Sequence, residues 1–515
     1  MTINGGVRNW SAMAAIMVAV LAVSLDVTVL TVALPTLAGA LQATESDLQW
    51  FSSAYALVLA AGMLPAGLLG DRYGRKRVML TSLTLFGAGS VACAASTSPA
   101  AFIAARALLG AAGAGVVVMA LSAIAALIPE DQRPRAVGLW AAANFVALPL
   151  GPVLGGWLLT YYWWGWVFLM NVPVAGLGLS AVVALIPESR SPERPRVDIL
   201  GTVLFCGGLA IATYGLIEAG RQGWTSATAL LALAAGVLVL LAFGLWERRL
   251  SRRPGGQPVV DLRLLATPGF TWGVTLMALG LVAALGAFFT LPQYFQAVLG
   301  MDPQGSGLRL LPLIAGLILG AVPADSVAER IGTKLTVALG FALMAAGMGL
   351  GSLTGTGSTT VFVAAWMVVV GAGMGITLST AGGAALREVP EEQSGVASAL
   401  LQALQKLGAP FGAAILGSVL NAAYQSQLHL GGLPPAVAGV VRQSVFGGVA
   451  IAQRMHSTAL LADVRGAFVH GLDVSFVVSA GIALACLLLA LAFMPGQIEK
   501  TRHQAELPAP DRLSA

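Results

Sequence analysis

Four ionisable side chains fall well inside long apolar runs of this 515-residue chain: Asp26, Arg106, Asp325 and Lys406. A charge at the centre of a membrane helix costs about 2.5–3.5 kcal/mol or more, so each is a candidate for function before it is a candidate for structure. Asp26 can do the most chemistry. Desolvation disfavours its charged form, which brings reversible protonation within reach of working pH. The same carboxylate can attract a cation, or can cap a partner on a neighbouring helix. Arg106 cannot release a proton at neutral pH; it can pair with an acid such as Asp26 or hydrogen-bond to backbone. Arg309 lies near the start of its run and can snorkel to an interface.

The elements that must hold these groups follow from composition. The chain is 57% hydrophobic and 10% charged, against roughly a quarter charged in a soluble domain. Apolar runs of about 20 residues, long enough to cross a bilayer core, recur from Ser11 to Met494. They predict an all-α membrane protein with fourteen transmembrane helices near 11–35, 49–70, 78–96, 100–128, 136–160, 165–187, 198–218, 226–246, 270–292, 305–325, 333–353, 360–385, 395–421 and 473–494. The first run stays apolar to about Leu41 without a convincing cleavage site, and reads as a retained helix.

With both ends of the chain cytoplasmic, twenty-one Lys and Arg residues fall in inside segments and four in outside ones, the bias expected of an inner-membrane protein. The net charge of +5 therefore reports topology, and no nucleic-acid partner is expected. Cys93, Cys206 and Cys486 each sit in an apolar run, and the four histidines are scattered; neither set has the spacing of a metal site. No metal or cofactor is expected. The segment 422–472 is too long for a plain connector and reads either as one or two amphipathic helices on the outer mouth or as a surface loop.

Two loops look like copies. Gly67-Leu-Leu-Gly-Asp71-Arg72-Tyr-Gly74-Arg75-Lys76-Arg77 follows the second predicted span, and Ala328-Glu329-Arg330-Ile-Gly332-Thr-Lys334 follows the tenth. Acid, base, any residue, glycine and base recur in order, as in transporters built from related halves. The first loop resembles the G-x-L-a-D-r-x-G-r-k signature of the major facilitator superfamily, with Gly70 for the usual alanine. Pro149, Gly151, Pro152, Gly155 and Gly156 resemble the g-x-x-x-G-P-x-x-G-G signature of its antiporters, with Ala147 for the first glycine. Leu25-Asp26-Val-Thr28-Val-Leu-Thr31-Val-Ala33-Leu34-Pro35 is similar to a pattern of the fourteen-helix drug:proton antiporter branch, with Thr31 where asparagine is usual. The stretch from Trp163 to Pro173, through Asn171, extends the match.

This resemblance implies two six-helix bundles, 1–190 and 266–498, with two extra helices in 191–265 and a cytoplasmic tail 499–515. It implies a monomer that exchanges protons for small hydrophobic, often cationic substrates across the lipid bilayer, with a narrow exporter of a natural product or metabolite as the alternative. Gly67, Asp71, Arg72, Gly74, Arg75 and Lys76, with Glu329 and Arg330 in the echo, are expected to form a cytoplasmic charge lock that opens and closes with the transport state. Arg106 matches the family's fourth-helix arginine and is expected to tune proton transfer. Asp325 is expected either as a second acid for protons and cationic substrates or as part of the gate. Lys406, with Gln402 and Gln405, is expected as polar packing. Tyr55, Asn144, Phe288 and Tyr294 are candidates, with Asp26 and Asp325, for contacting substrate in a greasy cavity. The proline–glycine signature argues against a proton-coupled importer. No phosphate loop supports a nucleotide-driven pump, and no catalytic constellation supports an enzyme.

Overall fold

The computed structural model describes residues 3–127, 132–186, 188, 198–253, 267–387, 389, 394–431 and 433–495. Helices account for nearly all of them, as they must where no water is at hand to satisfy open backbone groups. The order is α1 (Ile3–Ala40), α2 (Glu45–Tyr73), α3 (Arg75–Ala94), α4 (Pro99–Leu127), α5 (Arg133–Tyr161), the short α6 (Trp166–Leu169) and α7 (Asn171–Leu185). There follow α8 (Ile199–Gln222), α9 (Ala227–Ser251), and α10 (Pro268–Gln293) with a wider π turn over Tyr294–Val298. Then come α11 (Pro303–Leu308), α12 (Leu311–Ala321), α13 (Ala324–Ile331), α14 (Thr333–Gly351), α15 (Thr360–Arg387), α16 (Ser394–Gln427), α17 (Pro435–Gln443), α18 (Val445–Arg454) and α19 (Thr458–Phe493).

Eleven spans among the described residues are long and apolar enough to cross a membrane. A twelfth is added if the two limbs of α2 count as one, bent by 48° between Met63 and Pro65. Pro65 lacks the N–H that would continue the ladder, which accounts for the bend.

Two expectations need correction. The span expected over 305–325 is present as Pro303–Ala321, but its helix is interrupted between α11 and α12 and ends before α13, with Pro312 in the first turn of α12 and Pro323 at the N-cap of α13. The outer segment expected over 422–472 is shorter, because α16 continues to Gln427 and α19 begins at Thr458, capped by Ser457. The polar residues that read as loop are spent on the surface of a helix. Arg465 Nε donates to Ala297 O at 3.2 Å, and Asp463 accepts from the backbone N–H of His429 at 3.0 Å. Between them α17 and α18 turn Val441, Val445 and Ala452 onto Phe295, Tyr424, Val464 and Phe468.

The apolar cores divide the chain. One core draws almost wholly on α1 to α7, with Phe289 of α10 and Ala413 of α16 joining it; two others draw almost wholly on α10 to α19. The pair α8 and α9 lies across the seam, where Leu209 packs on Leu57 and Ala61 of α2 with Leu407 and Phe411 of α16 alongside. Its end is tied to α16 by Ser418 Oγ donating to Leu216 O at 2.5 Å and Asn421 Nδ2 donating to Gly220 O at 3.2 Å.

The echoed loops share one backbone device. Gly74 (φ 113°, ψ 129°) and Gly332 (φ 86°, ψ 153°) each end one helix and start the next. Their amides reach back to Gly70 O at 3.0 Å and Ala328 O at 2.9 Å, and each carbonyl accepts from the residue four further on at 3.1 Å. A positive φ here makes glycine the residue of choice.

Candidate functional site

Three helices converge on Asp26. It lies midway along α1; α4 brings Arg106, and α7 brings Asn171. Arg106 Nη1 pairs with Asp26 Oδ2, and Asn171 Nδ2 donates to Asp26 Oδ1 at 3.3 Å. The guanidinium is held from behind as well. Arg106 Nε donates to Phe51 O at 3.1 Å, and its carbon sits 4.4 Å from the centre of the Tyr55 ring. Tyr55 is fixed in turn by donating to Val23 O at 3.0 Å. Phe51, Phe102 and Phe168 form an aromatic wall, with ring centres 4.5 and 5.3 Å apart. The Arg106 and Asp26 side chains are 1% and 0% exposed.

This arrangement has a definite chemistry. Both carboxylate oxygens are engaged and the side chain is fully buried, so Asp26 is closed to a substrate in this state. Without that pair, Arg106 would keep one backbone carbonyl and the π face of Tyr55. Of the expected site residues, the fold thus brings together Asp26, Arg106 and Tyr55, and it adds Asn171. That residue lay in the matched stretch, where an amide opening an apolar helix was the available signal.

The other aromatics do not form an open wall. Phe288 is packed in the second-half core, and Tyr294 is fully buried there, donating to Gly355 O at 2.8 Å. A buried phenol normally finds such a partner, and here that turns Tyr294 toward the α14–α15 connection. Asp325 is exposed in the first turn of α13, with Glu329 and Arg330 exposed one turn on; it is not brought to Asp26. Asn144 and Lys406 fall on α5 and α16, but their side chains lie outside the described residues.

The charged loop ties the first half to itself. Asp71 accepts from Arg75 Nε and Nη2 at 3.1 and 2.9 Å. Lys76 donates through its backbone N–H to Glu188 at 3.2 Å and through Nζ to Val183 O at 2.8 Å, while Arg77 lies 3.5 Å from Glu188. Arg72 stacks over Tyr73 at 5.5 Å. Gly67 faces Val118 of α4, where an added Cβ would make ordinary contact at 3.5 Å. Glu188 escaped the sequence reading, although an acid beside the basic 190–196 segment was the signal.

The proline–glycine stretch of α5 sits at the seam. A Cβ on Gly151 would collide with Thr28 Oγ1 of α1, and one on Gly155 would stand 2.7 Å from Val29. On its other side, a Cβ on Gly156 would lie 2.6 Å from Pro303 O and 2.8 Å from Gln304 Cα, and Gly307 rests against Pro152 O. Pro149 and Pro152 remove two ladder donors from this helix, and Thr28 Oγ1 donates to Ala147 O at 3.2 Å. Further hydrogen bonds join the halves at this same end. Gln304 N donates to Thr160 Oγ1 at 3.2 Å, Gln296 Nε2 to Val32 O at 3.1 Å, and Gln293 Nε2 to Glu45 Oε1 at 3.2 Å.

An all-helical bundle of two halves, with apolar spans long enough for a bilayer and a charge pair buried inside one half, defines a multi-pass membrane transporter. The sequence model of the Major Facilitator Superfamily matches residues 16–413, and the chain belongs to that family. It is 30% identical to the tetracenomycin C resistance and export protein of Streptomyces glaucescens, over 98% of this chain and 95% of that protein. It is 31% identical to the multidrug efflux pump LfrA of Mycolicibacterium smegmatis, over 93% and 95%. With the methyl viologen resistance protein SmvA of Salmonella typhimurium it shares 29%, over 94% and 98%. Among solved structures, a bacterial homologue of the human lysosomal transporter Spinster matches with a TM-score of 0.69 at 16% identity, covering 95% of this chain and 98% of that one. The D-xylose-proton symporter matches at 0.62 and 15% identity, with 95% and 98% covered.

Proposed function

We propose that this chain is a fourteen-helix, proton-coupled antiporter that exports small hydrophobic, often cationic compounds across the cytoplasmic membrane by alternating access. The observation that carries the reading is the buried Asp26–Arg106–Asn171 cluster, whose state changes with a single proton. A proton on Asp26 leaves Arg106 uncompensated, and its charge then disfavours a cation nearby; loss of the proton restores the pair and removes that penalty. Proton and cation therefore exclude one another, which is the condition for exchange.

Orientation follows from the basic residues: the Gly74 and Gly332 loops face the cytoplasm with both termini, and the Thr160–Gln304 contact faces outward. The arrangement seen here is then the one sealed toward the outside. Helices α5 and α16, 29 and 34 residues long, complete the fourteen spans, with α8 and α9 as the inserted pair between bundles 1–190 and 266–498. Asp325, exposed on α13, belongs to the cytoplasmic gate, and a monomer suffices for the cycle. The export names of the relatives support efflux. A narrow exporter of one natural product is the second reading, favoured by the match to the tetracenomycin C export protein.

The test is proton-gradient-driven ethidium uptake in everted vesicles. Uptake is expected to collapse with an uncoupler and with Asp26→Asn, and to fall less with Asp325→Asn. Uncoupler-sensitive uptake retained in Asp26→Asn sinks the assignment, and no ethidium uptake by folded protein turns the reading to the narrow exporter.

A further inference from the structure

The seal between the halves contains a second carboxylate. Glu45 opens α2, yet its residue is only 4% exposed. Its Oε1 accepts from Gln293 Nε2 of α10 at 3.2 Å. One turn along α2, the Gln49 amide lies 3.5 Å from Ser418 Oγ of α16, whose single proton goes to Leu216 O. Gln49, Gln293 and Ser418 are all fully buried, so the three helices close over one polar patch.

The hydrogen bonding of this patch is incomplete in an informative way. Gln293 Nε2 also donates to Phe289 O at 3.3 Å, which fixes the amide's orientation, and Gln293 Oε1 is buried without a partner. An ionised carboxylate can only accept; a carboxylic acid can also donate. A proton on Glu45 supplies the donor that Gln293 Oε1 lacks and completes an acid–amide pair. Among the described residues, no cation is paired with Glu45. From α16 the titratable group toward Glu45 is Tyr424, whose hydroxyl donates to Val441 O at 2.8 Å. On α8, Arg221 is held by Glu218 at 3.0 Å; on α4, Arg106 is held by Asp26. On α2 itself, Asp47 accepts from Thr44 at 2.7 Å. Cys93 of α3 is buried near Arg106. Burying an unpaired carboxylate charge is costly enough that the group takes up a proton instead.

We propose that Glu45 is a second proton-binding site, and that the outward end of the transporter seals only when Glu45 carries a proton. The inference rests on the alternating-access reading and on that end facing outward. The proton comes from external water while the end is open, bonds to one Glu45 oxygen as the halves meet, and returns to the same side on reopening. Glu45 thus sets the external pH at which the transporter seals, without adding to the protons exchanged through Asp26.

The test replaces Cys93, Cys206 and Cys486 by alanine, places cysteines at Thr160 and Gln304 across the seal, and measures their crosslinking in right-side-out vesicles at clamped internal pH. Dividing each yield by that of the same chain carrying Glu45→Gln at the same pH removes the pH dependence of thiol chemistry. The ratio is expected to rise as external pH falls, by up to about tenfold per unit for one linked proton, and to ignore internal pH. Glu45→Asp is expected to keep the dependence. Should Glu45→Gln fail to accumulate in the membrane, Gln293→Leu serves as the second variant, sealing only at lower external pH. A ratio insensitive to external pH, a ratio that follows internal pH, or no shift with Gln293→Leu overturns the proposal. Crosslinking reports position and not flux, so its outcome is separable from the ethidium result. External-pH dependence kept in Asp26→Asn is expected, and its loss there assigns the effect to Asp26 and overturns the role of Glu45.

Discussion

At the scale of single residues, Asp26 and Arg106 make sense only as a pair. Removing one partner of a buried ion pair leaves the other charge unmatched, at about 3–5 kcal/mol, whereas removing both is close to neutral. Asp26→Asn and Arg106→Gln are each expected to lower the thermal stability of the purified protein, and the double variant to recover much of the loss. Additive losses in that cycle would show the two side chains to be uncoupled. Both residues were legible in the sequence because a charge in the middle of an apolar run has no solvent-facing excuse. Asn171 was not singled out, being uncharged at the start of a helix. Glu45 was hidden for a different reason: an acid in the first turn of a helix is ordinary, since it favours the positive end of the helix dipole, and nothing local says that Gln293, far along the chain, will cover it. Tyr294 and Phe288 show a different ambiguity. An aromatic near a helix end reads equally as cavity lining or as core, and only the packed halves decide.

At the scale of the element, α5 has two unlike faces. Gly151 lies against α1 of its own half, so an added methyl there strains every state of the bundle. Gly156 lies against the Pro303–Gln304 backbone of the other half, so a methyl there strains only the sealed state. Overpacking costs about 1–3 kcal/mol, which shifts a two-state balance by about 5- to 150-fold. Gly156→Ala is therefore expected to leave thermal stability nearly unchanged while raising the reactivity of a cysteine at Thr160 toward an external impermeant reagent. Gly151→Ala is expected to lower stability without that change. Equal behaviour of the two variants would refute the division of faces. The motif itself stood out in the sequence; which helix each glycine meets did not, because spacing gives a face and not its partner. The span at Pro303–Ala321 was legible; the breaks in its helix and the early start of α19 were not, for a related reason. Hydropathy records the membrane, while caps and prolines record where a helix begins and ends.

At the scale of the whole molecule, the inserted pair α8 and α9 supplies two of the proposed crossings. They are 24 and 25 residues long, and at about 1.5 Å per residue each can cross a core of about 30 Å. Helix α9 exposes Leu231, Leu238, Leu241 and Leu245 along its length, a surface that water disfavours and lipid covers. If the pair crosses twice, Thr225 between the helices faces outward and Arg252 after them faces the cytoplasm. Cysteines placed there in a chain free of its own cysteines are expected to part company: Thr225→Cys reacts with an impermeant maleimide in intact cells, and Arg252→Cys reacts only after permeabilisation. Thr356→Cys and Arg77→Cys, at opposite ends of the two bundles, give the outward and inward references. Were α8 and α9 instead to lie along one face of the bilayer, both positions would label from the same side. The halves would then keep their orientation, since an inserted pair adds two crossings or none and leaves the parity of every later helix intact. Insertion of an even number of helices between two bundles is thus topologically silent, which is why the positive-inside bias of the flanking loops reads the same with or without them and only labelling between them decides.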